Sequence, residues 1–265
     1  MSEILNMNQI EASKVYVSEV SSIISYQHPL DYLQPYLDIL SPLGAVFTFE
    51  GEVGSVSKER VVAEIEGQEN HIAYKRLIAK AKLPIEYDLL IDANTPFNHL
   101  SGEIGFVYAL DGKSPEMRAY RGKRVTVCTN QCVFGADNVT SINLAKSSIV
   151  SIYDTLRRYV DGAAKDYEKY KEIIERLYNN ELAGRKLLER IGHIHWECKK
   201  NNKLGTTCAN DMVSYLQDNK SKYALSGDKT NDWLLYSACT ESLKKSNILD
   251  EASKTLLLEK VFHNN

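Results

Sequence analysis

The stretch from Arg118 to Gly135 is the part of the chain richest in side chains that can do chemistry. It begins with four basic residues around Tyr120 and continues through a β-prone run to a polar turn with Asn130 and Gln131. Lysine and arginine neutralise phosphates, and an aromatic ring can stack on an unpaired base. The alternative is a solvated face whose basic side chains cover apolar surface with their stems. We predict nucleic-acid contact by Arg118, Tyr120, Arg121, Lys123, Arg124, Asn130, Gln131, Arg157 and Arg158.

Two cysteines in the same stretch have a spacing that a metal site could use. Cys128 and Cys132 have three residues between them, which zinc sites permit. No second pair follows at a similar spacing, because nine residues separate Cys198 from Cys208. We therefore interpret Cys128 and Cys132 as small buried residues at the end of a strand.

A second metal hypothesis concerns two histidines and two cysteines further along the chain. His193 and His195 would share one face of a strand, but they point about 200° apart on a helix. The flanking residues predict a helix, which separates the two imidazoles. The sequence therefore predicts no metal and no cofactor, and the weak zinc candidates are His193, His195, Cys198 and Cys208.

Recognisable catalytic signatures are missing from the sequence. There is no Gly-x-Ser-x-Gly elbow, phosphate-binding loop, dinucleotide fingerprint or His-Glu-x-x-His pair. A binding protein is therefore favoured over an enzyme, and a metal-dependent nuclease or hydrolase stays open as an alternative.

Composition places the chain among ordinary globular proteins. It has 265 residues, of which 43% are hydrophobic and 25% charged, and its net charge is −3. Residues 1–100 carry 7 Lys/Arg and 14 Asp/Glu, whereas residues 101–265 carry 25 and 21, so the basic excess follows residue 100. No apolar run suits a membrane span, and the N-terminus lacks a signal-peptide pattern. With five cysteines, free thiols in a reducing cytoplasm are expected.

The periodicity of the apolar residues predicts which elements position these groups. A helical stripe over 31–40 precedes strand patterns over 45–50, 60–66, 87–92, 104–110 and 124–128. Helical spacing dominates after residue 141. We therefore predict an α+β fold with an antiparallel sheet. Residues 1–140 form a β-rich region with an N-terminal helix, residues 141–265 form a helical region, and the two make one integrated domain.

Two short motifs resemble a known family. Arg124-Val-Thr-Val-Cys128, with Asn130 after it, is similar to a strand and turn of the phage- and plasmid-borne family catalogued as domain of unknown function 932. The block from Thr230 to Glu241 is similar to that family's Trp-x-x-Tyr-Asn-Ala-x-Thr-Glu pattern, with Ser237 in place of the Asn. The resemblance covers roughly residues 85–245. It implies a role in DNA replication, recombination or conflict with host defence, and it transfers no catalytic residue.

Three hypotheses follow for the function. The first is a non-catalytic phage or plasmid protein that binds nucleic acid, with single-stranded DNA binding or annealing as its activity. It would act as a homo-oligomer in the cytoplasm of a bacterial host, without a membrane partner. The second is an inhibitor or scaffold that binds a host protein complex through an acidic surface with Glu64, Glu66 and Glu69. The third is the metal-dependent nuclease or hydrolase.

Overall fold

A computed structural model gives the fold of the chain. It describes residues 3–13, 29–53, 74–88, 99–109, 116–125, 131–132, 139–143, 149–165, 167–201, 204–218, 229–243 and 248–263.

Strands dominate the first half of the described chain and helices the second. The strands are β1 (Glu3–Leu5), β2 (Val46–Val53), β3 (Tyr74–Asp88), β4 (His99–Ala109), β5 (Glu116–Val125), β6 (Gln131–Cys132), β7 (Val139–Asn143), β8 (Glu181–Ala183) and β9 (Lys229–Asn231). The helices are α1 (Met7–Glu11), α2 (Pro29–Leu40), α3 (Ile149–Lys165), α4 (Tyr167–Asn179), α5 (Gly184–Lys200), α6 (Gly205–Gln217), α7 (Asp232–Leu243) and α8 (Ile248–His263).

This arrangement confirms the predicted α+β fold with a β-rich N-terminal half. The main sheet has the strand order β1-β2-β3-β4-β5-β6, and β7 also pairs with β5. The pairings of β1 with β2, β2 with β3, and β5 with β6 and β7 are antiparallel. A separate antiparallel pair of short strands, β8 and β9, lies among the helices.

Two strands extend beyond the predicted bounds. We expected a strand from residue 124, but β5 begins at Glu116, so most of the basic stretch lies inside it. β3 overlaps the pattern predicted over 87–92 only at its end, because it begins at Tyr74 and continues through Pro84 to Asp88. The recorded pairing of β3 with β2 ends at Lys82, so Pro84 needs no N–H toward that neighbour. The strand predicted over 60–66 lies outside the described residues.

The chain divides into two compact units that are interleaved along the sequence. One unit comprises Met1–Ile85, Gly102–Arg121 and Val139–Gly162. The other comprises Glu86–Ser101, Gly122–Asn138 and Ala163–Asn265. The predicted boundary near residue 140, and the prediction of one integrated domain, stay predictions.

In the first unit, helices α2 and α3 cover one face of the sheet. Tyr36 of α2 is fully buried, packs edge-on against Phe106 of β4 at 4.9 Å between ring centroids, and donates its hydroxyl to the Ile104 carbonyl. Tyr153 of α3 donates to the Asp38 carboxylate of α2 at 2.6 Å, which links the two helices. Apolar side chains at alternate strand positions therefore pack beneath helical stripes.

In the second unit, the core forms around α7. All of its side chains except Leu234 and Glu241 are buried, and Trp233 and Tyr236 are completely inaccessible. Helices α4, α5, α6 and α8 supply the surrounding apolar residues. A helix that is buried on all sides must be covered by other helices, which explains the absence of an amphipathic pattern over 232–243. Among the described residues, no helix is long and apolar enough to cross a membrane.

Candidate nucleic-acid interface and a buried ion pair

Two basic residues of β5, Arg118 and Arg121, lie on opposite faces of the strand. Side chains alternate between the two faces, so Arg118 shares a face with Tyr120 while Arg121 is on the other. Only the backbone is described for Lys123 and Arg124, which pair with Cys132 and Gln131 of β6. Arg118 and Arg121 therefore cannot hold phosphates on the same face of β5.

Tyr120 lies in the core of the first unit. Its side chain is only 5% exposed, and its hydroxyl donates to the Glu103 carboxylate at 2.9 Å. The ring packs against the backbone of Gly105, where a Cβ atom would lie 2.4 Å from the tyrosine ring. A base cannot stack on a ring enclosed in this way, which corrects the role predicted for Tyr120.

Arg121 also makes its contacts within the first unit. Its guanidinium donates to the backbone oxygens of Arg158 and Tyr159 at 3.1 and 3.2 Å, and it lies 5.6 Å from the Tyr159 ring centroid. Gly162 leaves room for it, because a Cβ atom there would be 1.7 Å from Arg121 Nη1. Arg121 therefore fastens α3 to the sheet, and this structural role competes with phosphate binding.

The remaining residues of the predicted interface include exposed, half-buried and undescribed side chains. Arg157 and Arg158 are exposed on α3. Arg157 lies 5.9 Å from the Tyr153 ring centroid, and Arg158 donates to Thr155 Oγ1 at 3.1 Å. Arg118 is half-buried opposite Ser141 of β7. Gln131 is described by its backbone alone, and Asn130, like Cys128, lies outside the described residues.

The weak zinc candidates do not converge. His193 and His195 lie on α5, as the helical prediction required, and His195 Nε2 is 3.2 Å from Asn210 Oδ1. Cys198 and Cys208 are buried thiols in the core of the second unit. In the part of the chain that the structure describes, no group of three or more His, Cys, Asp or Glu side chains could hold a metal ion.

The Cys239 thiol stays protonated, whereas hydrogen bonds from the Cys198 and Cys239 thiols lower the pKa of the buried Cys208 thiol. Cys208 Sγ lies 3.5 Å from the Cys239 carbonyl oxygen, and burial raises the pKa of the Cys239 thiol well above its usual range. A thiol in this state is a small apolar side chain and a poor nucleophile.

The outer face of α5 presents an aromatic ring beside two cations. Trp196 is 63% exposed, and Lys199 and Lys200 follow it by three and four residues, which places all three on neighbouring positions of the helix surface. Together they line a shallow pocket of about 240 Å³. We call these three residues the Trp196 platform. Leu188, two turns earlier on the helix, is also exposed, at 71%.

The inner face of α5 carries a buried ion pair. Arg190 Nε donates to Asp232 Oδ1 at 2.7 Å, and the two side chains are 5% and 4% exposed. Asn180 donates its amide to Asp232 Oδ2 at 2.6 Å, so both carboxylate oxygens are bonded. Arg190 also lies 4.9 Å from the Phe262 ring centroid. These interactions connect α5, α7 and α8 around a polar centre within the second unit.

Two pockets adjoin this centre. One, of about 450 Å³, is lined by Asp232, Asn180, Phe262 and the Arg176–His263 pair, whose Nη2 and Nδ1 atoms are 2.6 Å apart. The other, of about 290 Å³, is lined by Lys186, Arg190 and His193 among others. Asn180 belongs to both.

Sequence reasoning missed both features of α5. The three basic residues of the second pocket could have been grouped from the sequence, because Lys186, Arg190 and His193 are spaced i, i+4 and i+7 on a predicted helix. The exposure of Trp196 was not available from the sequence, since a tryptophan beside apolar residues is usually buried. The periodicity of the sequence cannot indicate that Arg190 binds Asp232, which lies 42 residues away.

No family model, no curated protein and no solved structure matches this chain. The likeness to domain of unknown function 932 therefore stays a prediction. Its second motif lies in β9 and α7, where Trp233, Tyr236 and Thr240 belong to the core and Asp232 to the ion pair.

Proposed function

We propose that the protein is a non-catalytic binder of single-stranded nucleic acid, and that the Trp196 platform is its contact surface. The observation that carries the proposal is a tryptophan left 63% exposed beside Lys199 and Lys200. Exposing a large aromatic ring to water is unfavourable unless a partner covers it. A base stacked on the indole, with its phosphates near the two ammonium groups, is such a partner.

The platform takes over the role first given to the β5 stretch. The exposed Arg157 and Arg158 of α3, which belong to the first unit, stay proposed as separate phosphate contacts. Base stacking is tolerant of sequence, because every base has a π-face, so we propose binding with little sequence preference. We also propose that this activity serves DNA replication or recombination in the cytoplasm of a bacterial host, in line with the suggested family resemblance, and that the protein acts as a homo-oligomer.

Intrinsic fluorescence tests the proposal directly. The chain has two tryptophans, of which Trp196 is exposed and Trp233 is completely buried, so a stacked base should quench only the Trp196 emission. We expect titration with oligothymidylate to quench the wild type at low salt. Trp196→Phe should bind labelled oligonucleotide but give no quenching, and Trp196→Ala should lose about 1–3 kcal/mol of binding free energy.

The salt dependence tests the contribution of the lysines. Lys199→Ala with Lys200→Ala should weaken binding and flatten the plot of log K against log salt by about 0.7 per lost phosphate contact. Leu188→Ala is the matched control, since it removes an exposed apolar side chain from the same helix without touching the platform. Absence of micromolar binding at low salt, or equal binding by the wild type and Trp196→Ala, would reject the platform.

A second candidate function is the protein-binding scaffold. The exposure of both Leu188 and Trp196 on α5 favours it, because two large apolar side chains on one helix suit a protein partner. The variant Leu188→Ala distinguishes the two candidate functions, because it should weaken protein association and leave oligonucleotide binding unchanged. The acidic residues Glu64, Glu66 and Glu69 lie outside the described residues. The hypothesis of a metal-dependent nuclease or hydrolase stays a prediction without support from the described part of the chain.

A further inference from the structure

The Arg190 guanidinium carries more hydrogen-bond donors than the described residues use. A guanidinium has five N–H groups, and only the one on Nε bonds to Asp232. The Nη1 and Nη2 atoms are buried and have no hydrogen-bond partner among the described residues. The Phe262 ring covers a face of the group but accepts none of the in-plane N–H bonds. Buried donors of this kind require an acceptor, and a bound water or ion is the usual one.

The residue that carries these donors, Arg190, belongs to the wall of a cavity. Arg190 lines the pocket of about 290 Å³ together with Asn180, Leu182, Lys186, Glu189 and His193. His193 Nε2 is buried and also has no partner in the described part of the chain. Lys186, Arg190 and His193 lie at i, i+4 and i+7, so the three basic side chains follow one face of α5. The volume is near the lower limit for small-molecule sites.

Among the residues that the structure describes, the charges around the pocket leave Lys186 without an ionic partner. Asp232 neutralises Arg190, and Arg185 pairs with Glu189 at 2.7 Å. Lys186 Nζ donates to Asn180 Oδ1 and to the Glu181 backbone oxygen, both at 3.0 Å, and both acceptors are neutral. An anion is the ligand that balances this surplus charge and accepts from the unused donors.

We propose that this pocket, the Arg190 pocket, binds a small ligand through a phosphate group. A carboxylate offers two oxygens, whereas a phosphate offers three or four and can accept from Arg190, His193 and Lys186 at once. Arginine suits such a group because its planar fork matches the spacing of phosphate oxygens. The proposal is independent of the Trp196 platform. Its ligand is either inorganic phosphate or a phosphate monoester.

Calorimetric titration of the full chain distinguishes the two sources. The probes are inorganic phosphate, thymidine 5′-monophosphate, thymidine and acetate. We expect both phosphates to bind and thymidine and acetate not to bind. Tighter binding of the monoester by tenfold or more would assign the pocket to monoesters, whereas equal binding would assign it to free phosphate. Binding of acetate alone, or of none of the probes up to 10 mM (a concentration on the order of the weakest millimolar affinities), would overturn the proposal.

Matched variants show whether the response comes from this pocket. Lys186→Met should weaken phosphate binding about tenfold, as expected for the loss of one charge-assisted contact. His193→Leu should weaken it, while His193→Gln, which keeps an N–H donor, should weaken it less. Lys260→Met, which changes an exposed lysine of α8 outside the pocket, should have no effect. None of these variants breaks the Arg190–Asp232 pair, so circular dichroism should show the wild-type fold. Equal phosphate binding by the wild type and Lys186→Met would overturn the proposal.

Discussion

Arg190 and Asp232 are the residues on which the polar centre of the second unit depends. Their ion pair is almost completely removed from water, and Asn180 completes the bonding of the carboxylate. Removing two charges from water is costly, and the cost is offset only while both charges are present. The presence of the pair therefore does not by itself show a large contribution to the free energy of unfolding. Removing one partner alone is nevertheless costly, because the other charge stays buried.

A double-mutant cycle measures this dependence. Arg190→Met and Asp232→Leu should each lower the free energy of unfolding by about 3–5 kcal/mol, because each leaves a buried charge without its partner. The double variant should lose less than the sum of the two, by a coupling of about 1–3 kcal/mol. Urea unfolding of the four proteins gives the coupling. Arg185→Met, which breaks the exposed pair with Glu189, serves as the control and should change stability little. Strict additivity would show that the two side chains do not act as a pair.

Tyr120 shows why residue type alone did not give the role of the β5 stretch. The sequence presents a tyrosine among arginines, a pattern that binding surfaces and cores share. The neighbour that decides the matter is Gly105, whose missing side chain gives the ring its place in the core. That neighbour lies on another strand, so no local pattern could indicate it.

At the scale of elements, α3 is fastened to the sheet by polar contacts as well as by its apolar stripe. The Tyr159 hydroxyl lies 2.7 Å from Thr140 Oγ1 and 3.2 Å from the Ala119 carbonyl oxygen. Arg121 adds its bonds to the helix backbone near Gly162. The glycine, which would otherwise weaken a helix, is explained by the guanidinium that occupies the space of its side chain.

Gly162→Ala should therefore have opposite effects in two backgrounds. In the wild type the new Cβ atom displaces the Arg121 guanidinium, and we expect a loss of about 1–2 kcal/mol as its hydrogen bonds break. In an Arg121→Ala background only the better helix propensity of alanine remains, and we expect a gain of up to about 1 kcal/mol. Thermal or urea unfolding of the four proteins checks both signs. A gain in both backgrounds would mean that Arg121 does not occupy this space.

The residues of helix α5 have different surroundings on its different faces. Leu187, Ile194 and Cys198 enter the core, the Arg190 pocket lies on one flank, and Trp196 is on the outside. Periodicity predicts such a helix because its apolar positions recur every three or four residues. It does not tell which of the remaining positions meet a cavity and which meet solvent, since that depends on α7 and α8.

At the scale of the whole molecule, the buried cluster of the second unit lies in one continuous segment, as far as the described residues show. Its buried cluster runs from Tyr170 to Phe262 along the sequence. The unit also includes Glu86–Ser101 and Gly122–Asn138, which lie much earlier in the chain. The contribution of those two segments to its stability is open to a direct experiment.

We expect the fragment Ala163–Asn265 to fold by itself, because it carries every residue of that cluster. In a Trp196→Phe version the fluorescence reports only Trp233. Its emission should be that of a buried tryptophan and should change in one cooperative urea transition. The full chain with the same substitution is the control. Emission typical of exposed tryptophan, or a gradual transition, would show that the core needs residues from the two earlier segments.

The sequence by itself determined the fold class, the order of strands before helices, and the helical state of the segment with His193 and His195. These features follow from the alternation of apolar residues along the chain, which is local information. Only the tertiary structure decided that Tyr120 is buried, that Arg121 binds a helix, and that Arg190 meets Asp232 beside a pocket. The reason is that burial and pairing depend on residues far apart in sequence, and the same side chain has a different role when its neighbour is a glycine, a carboxylate or water.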